Sequence, residues 1–183
     1  MVNIIEVIKM TKGKKTNGKK KGSSFELKIC KEIAEAIGEP YGGRIRRTPG
    51  SGALVCRADI YVHKDIRHKF NWFLELKKRE NIRLEHLFKP NNYLLKWYKD
   101  SKEKLQIDPE YDPMTTPSAL VFSKNQMSPF ILMSREDFAT TDVFEKYTDY
   151  GHMIFFTDDE VEYVVLDWET FLNIYRVNPL TTE

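Results

Sequence analysis

Four side chains in this 183-residue sequence have the types and settings for metal-assisted or acid–base chemistry: Glu26, Asp59, Glu75 and Lys77. The tripeptide Glu-Leu-Lys occurs twice, as Glu26-Leu27-Lys28 and as Glu75-Leu76-Lys77. The two copies are not equivalent. In a helix, residues two apart point about 200° away from each other. In a strand they share a face. The second copy lies in the apolar, aromatic stretch "NWFLELKK" (71–78), which reads as a strand, so only this copy sets a carboxylate and an ammonium side by side. Alone, the pattern is weak, because a Glu-x-Lys arises by chance about once in a chain of this length. A pair on an exposed edge would contribute little. In a buried strand the same charges are expensive unless something uses them.

Asp59 lies in the stretch "RADIYVH" (57–63), which also reads as a strand. If the two strands pair as a hairpin, Asp59 and Glu75 meet at one end. Two converging carboxylates repel unless a cation lies between them. Hard oxygen donors of this kind suit Mg²⁺ or Mn²⁺. Asp59 alone is equally compatible with a strand end or a turn cap. For Glu26 the helical phase matters. At about 100° per residue from Phe25, the apolar positions Ile29, Cys30, Ile33, Ala34, Ala36 and Ile37 span about 0–180°. Glu26 falls at about 100°, inside that stripe, while Lys28, Lys31, Glu32 and Glu35 fall at about 240–340°. The sequence Ser23-Ser24-Phe25-Glu26 also fits a capping box, in which Glu26 would only satisfy the helix start.

The elements that must position these groups follow from periodicity. Ser23 or Ser24 can cap a helix that runs to about Ile37 and ends at Gly38. "RIRRT" (44–48) reads as a short strand and "TPGSG" (48–52) as a turn. A polar turn around Lys64–Lys69 joins the strands 57–63 and 71–78. Residues 83–105 suggest a helix interrupted near Pro90. "SALVFS" (118–123) and "PFILM" (129–133) read as buried strands, and "DFATTDVFEKY" as mostly helical. "MIFFT" and "EYVVLD" suggest a hairpin around Asp158-Asp159, followed by a final helix, "WETFLNIY". The expected fold class is α/β: a central mixed sheet flanked by helices, in the order αβββαβ, with a C-terminal α/β extension. The expected organisation is a flexible basic arm over 1–22, a core over 23–135, and an extension over 136–183 packed on that core as part of one domain.

Charge is unevenly distributed. The net charge is +2, yet residues 11–22 carry six lysines and no acid. Residues 41–90 carry 12 Lys/Arg against 5 Asp/Glu, a net of +7, and residues 101–183 carry 6 against 16, a net of −10. One part of the molecule should attract a polyanion and another should not. The lysine run, with no apolar residue, reads as a mobile arm. It is a phosphate-binding arm or simply a solvated tail. No apolar run approaches the ~20 residues of a membrane span. Lysines follow the apolar patch at Val2–Ile8 and no cleavage site does, so a signal peptide is not expected. Cys30 and Cys56 form no disulfide framework, which fits a reducing, cytoplasmic setting. His63, His68, His86 and His152 lack zinc-ligand spacing, and Trp72, Trp97 and Trp168 are expected in the core or at an interface.

Glu on the first helix, then Asp, then Glu-x-Lys on the next strand resembles the signature of the PD-(D/E)XK nucleases. Within them the chain is similar to the archaeal-type Holliday junction resolvases, also found in phages. The likeness covers roughly residues 20–135. It is carried by "KGSSFELKICKEIAEAIG", "RRTPGSGALVCRADI" and "FLELKK", with Ala58-Asp59 in place of the literal Pro-Asp. The resemblance implies a restriction-endonuclease-like core and catalytic roles for Glu26, Asp59, Glu75 and Lys77. Ser51 matches a loop serine of the family, and Arg47 a basic residue before that loop. It further implies that Asp59, Glu75, the Leu76 carbonyl and Glu26 bind Mg²⁺, with Mn²⁺ as a substitute, and that no small-molecule cofactor is needed. Lys12, Lys14, Lys15, Lys19, Lys20, Lys21, Arg44, Arg46, Arg47 and Lys78 would hold phosphates of branched DNA. A four-way junction has two-fold symmetry, so a homodimer is expected. Two other readings stay open: another nuclease on the same fold, restriction-like or exonucleolytic, and a DNA-binding module without catalysis.

Overall fold

A computed structural model describes residues 18–48, 56–89, 92–139, 154–158 and 160–176. Helix α1 spans Gly18–Ala36. It begins before Ser23 and Ser24, so both serines and Lys19–Lys21 lie within it. Glu26 is therefore in the helix interior and not in a first-turn capping box, and the basic arm expected over 1–22 yields its last five residues to the helix. The predicted apolar stripe is the buried one: Phe25, Ile29, Cys30, Ile33, Ala34, Ala36 and Ile37 are all in the core. Each such Ile or Phe contributes about 1.5–3 kcal/mol. Gly38, at φ 68°, ends the helix in the left-handed conformation, and the Glu39 amide donates back to the Ala34 carbonyl at 2.9 Å.

Strands β1 (Ile45–Arg47) and β2 (Ile60–Val62) pair antiparallel as a separate two-stranded sheet. The central sheet has five strands: β3 (Phe73–Lys78), β4 (Ser118–Ser123), β5 (Phe130–Ser134), β6 (Ile154–Asp158) and β7 (Val161–Asp167). Their order is β3-β4-β5-β7-β6, with β3 parallel to β4 and the other pairs antiparallel. The architecture is the expected mixed α/β one, compatible with a restriction-endonuclease-like core. It differs from expectation in two respects. The strand expected over 57–63 is only three residues long and pairs with β1, so β2 and β3 do not form a hairpin ladder. The C-terminal strands β6 and β7 join the central sheet itself instead of packing on it.

Helix α1 and helix α4 (Trp168–Asn173) cover one face of the sheet. Trp168 Nε1 donates to Glu32 of α1 at 2.9 Å, and the rings of Trp72 and Phe171 meet edge-to-face at 5.3 Å. Helix α2 (Tyr93–Gln106) covers the other face, where Ser101 meets Ser118 at 3.2 Å. Helix α2 starts at an Asn92 cap, and the expected helical stretch before it is instead a short 3-10 segment, Leu84–Phe88; Pro90 lies outside the described residues. Helix α3 (Arg135–Ala139) docks through Asp137, which is held by Tyr98 and Lys102 of α2. The rest of the helix expected there, and His152 and Asp159, also lie outside the described residues. Among the described residues no helix is long and apolar enough to cross a membrane.

Candidate active site

Strand β3 is an edge strand, and its alternation separates structure from chemistry. Leu74 and Leu76 enter the main core, while Phe73 joins a second cluster with Cys56, Ala58, Leu105 and Tyr111. Glu75 and Lys77 share the Phe73 face. Asp59 stands against the open edge of β3 and is fixed at three points. Its amide donates to the Leu74 carbonyl at 3.0 Å, its carbonyl accepts from the Thr48 amide at 2.9 Å, and its Oδ2 accepts from the Leu76 amide at 2.7 Å. One aspartate thus satisfies the edge where a hairpin partner was expected. The N–H and C=O of a strand residue point to the same side, so the Leu76 carbonyl faces the edge that Asp59 occupies.

Asp59 and Glu75 are nearly fully buried, at 6% and 4% exposed. Burial, then the neighbouring Glu75 carboxylate, pushes the Asp59 pKa up to about 6, and Glu26 adds to the rise. The Leu76 amide and Lys77 act against it. Glu75 Oε1 accepts from Lys77 Nζ, and Oε2 accepts from Lys104 Nζ at 2.6 Å. Glu26 lies near enough to influence Asp59 but is paired with Arg47 at 3.5 Å.

The structure therefore brings Asp59, Glu75 and Lys77 together and leaves Glu26 turned to Arg47. Among the described residues no group of three or more His, Cys, Asp or Glu side chains is arranged to hold a metal ion. The donor set nevertheless suits a divalent cation, because two buried carboxylates offer hard oxygen ligands, and a cation there would take over charge balance from the ammonium groups now beside Glu75. Of the expected phosphate contacts, Arg46 stacks over Tyr61 at 4.7 Å and Lys78 lies over Phe25 at 5.6 Å. Arg44 is exposed in the turn before β1. Lys19, Lys20 and Lys21 are in α1; Lys12, Lys14, Lys15 and Ser51 lie outside the described residues.

Sequence reasoning missed Lys104 and the clamp behind Asp59. The loop after α2 holds the segment on either side of Asp59, at Arg57 and Val62. Asp108 accepts from the Arg57 amide, and the Tyr111 hydroxyl accepts from the Val62 amide at 3.1 Å. Arg67 lies over the Tyr111 ring at 3.9 Å and donates to the Val62 carbonyl at 3.1 Å. "DPEYDPMTTP" shows only turn chemistry, and nothing in it marks a contact some 50 residues away.

No curated protein and no solved structure matches the chain significantly. The family described as "phage putative PDDEXK endonuclease" matches residues 17–181, which includes every residue of the carboxylate–lysine cluster. With nearly the whole length matched, the chain belongs to this phage PDDEXK endonuclease family.

Proposed function

We propose that the protein is a Mg²⁺-dependent, structure-selective DNA endonuclease of the Holliday junction resolvase type. The observation that carries the nuclease reading is the buried Asp59–Glu75 pair with Lys77 on an open sheet edge. Asp59, Glu75 and the Leu76 carbonyl would hold the cation, with Glu26 assisting once released from Arg47. Bound there, Mg²⁺ would supply Lewis-acid stabilisation of phosphoryl charge and a more acidic water. The chain's own groups do the rest. Lys77 Nζ, anchored by Glu75, orients the attacking water and balances charge at the phosphate. Water adds to phosphorus, the P–O3′ bond breaks, and the products carry a 5′-phosphate and a 3′-hydroxyl. Ser51, eight residues before Asp59 in the sequence, would contact the same phosphate.

Arg44, Arg46, Lys78 and the lysines from Lys12 to Lys21 would hold backbone phosphates, contacts that read no sequence. That favours recognition of DNA shape, and a second copy of the chain would present a second active site to a two-fold symmetric junction. The test is incubation with Mg²⁺ and a synthetic four-way junction, beside linear duplex, splayed arms and single strands. Paired symmetric nicks confined to the junction are expected. Equal cutting of linear duplex would replace the resolvase with a linear-DNA endonuclease, and no cutting of any substrate would leave a DNA-binding module.

A further inference from the structure

Lys104 is the active-site residue that the sequence pattern does not mark. It reaches Glu75 from the last turn of α2, and its ammonium lies 2.6 Å from Glu75 Oε2. With Lys77 on Oε1, both oxygens of the buried Glu75 carboxylate carry an ammonium partner. The two lysines differ in tether. Lys77 is on the same strand and the same face as Glu75, two residues away, so it stays at the site whatever Glu75 binds. Lys104 comes from another element, and its side chain is 33% exposed, so its long stem can swing the ammonium into water. A divalent cation that takes Glu75 as a ligand competes with the ammonium charges already on its oxygens, and Lys104, partly exposed and tethered to another element, is the one freer to leave.

We infer that Lys104 is a positioning residue that occupies Glu75 in place of the metal and competes with the divalent cation for it. The inference rests on the proposed cation-binding role of Asp59 and Glu75. The resident ammonium keeps the carboxylate charge balanced and Glu75 in its ligating rotamer when no metal is bound. It also weakens metal affinity by the strength of the contact that must be broken.

Isothermal titration of metal-free protein with Mn²⁺ tests this without reference to cleavage. Lys104→Met should tighten Mn²⁺ binding about tenfold, the fold-change for losing one charge-assisted hydrogen bond of modest strength. Lys104→Arg, which keeps the charge, should stay near the parental affinity. Lys96→Met, an exposed lysine two turns earlier on α2, should leave it unchanged. If Lys104→Met fails to fold, Lys104→Gln carries the same expectation. Parental or weaker Mn²⁺ affinity in the neutral variant would overturn the competition alone. Absence of Mn²⁺ binding in the parent, or parental binding in Glu75→Gln, would overturn both the competition and the metal role of Glu75.

Discussion

Replacing Asp59 by Asn should make the metal-free protein more stable while destroying its chemistry. In the unfolded chain Asp59 ionises near 3.8, and in the fold burial and Glu75 raise that to about 6. Below pH 3.8 both states hold the proton and no cost arises. Between the two values the folded state binds more protons than the unfolded one, so stability falls as pH rises, and above about 6 the full cost is present. At about 1.4 kcal/mol per pH unit, the rise corresponds to about 3 kcal/mol. Asn carries no charge and its carbonyl oxygen can still accept from the Leu76 amide. Asp59→Asn should therefore gain about 3 kcal/mol at pH 7.5 and little at pH 4. In a chain of this size that is about 6–12 °C in Tm. Urea unfolding of parent and variant, in chelator, at both pH values measures it. A variant less stable than the parent at pH 7.5, or equally stabilised at both pH values, would refute the assignment of the strain to an ionised Asp59. Saturating Mg²⁺ should narrow or reverse the difference, because a bound cation stabilises the parent.

The remaining predictions need less development. Lys77→Ala should lower cleavage at least a hundredfold while leaving DNA affinity, read by gel shift, within about threefold. Tyr98→Phe removes the hydroxyl that donates to Asp137 and accepts from the Ser134 amide at 3.1 Å, and should cost about 2 kcal/mol in urea unfolding. Arg47→Gln breaks only a half-exposed ion pair with Glu26 and should cost less than about 1 kcal/mol by the same measurement. Burial pushes the Cys30 thiol up to about 12, so in a Cys56→Ala background at pH 8 a thiol reagent should label Cys30 only as fast as the protein unfolds.

The legible parts of this sequence were those where local pattern and tertiary environment agree. The 118–123 strand matches its expected bounds, and the α1 stripe is buried at each apolar position named. The expected C-terminal hairpin forms, with Asp158 opposite Val161 and Glu160 at positive φ. Asp59, Glu75 and Lys77 could be proposed because buried charge in an apolar strand is a conspicuous anomaly. The start of α1 was misjudged because Ser23 and Ser24 look like caps, while the preceding lysines look only like a soluble run. The pairing of β2 departs from expectation because adjacency in sequence favours a hairpin with β3, whereas β2 lies antiparallel beside β1. Lys104 left no local trace: it lies about 100° around the helix from the buried Leu105, on a flank where a lysine is ordinary.

The parallel pairing of β3 with β4 also bears on when the enzyme becomes competent. Phe73 lies beside Ser118, 45 residues later, and α2 with Lys104 lies between them. Such a crossover closes a long loop before its contacts repay the lost chain entropy, which makes it a slow step. A nascent chain still short of β4 has its two carboxylates and its Lys77 but no sheet to hold them. The proposed site would therefore be assembled only once β4 is available to pair with β3, and not as the motif residues leave the ribosome.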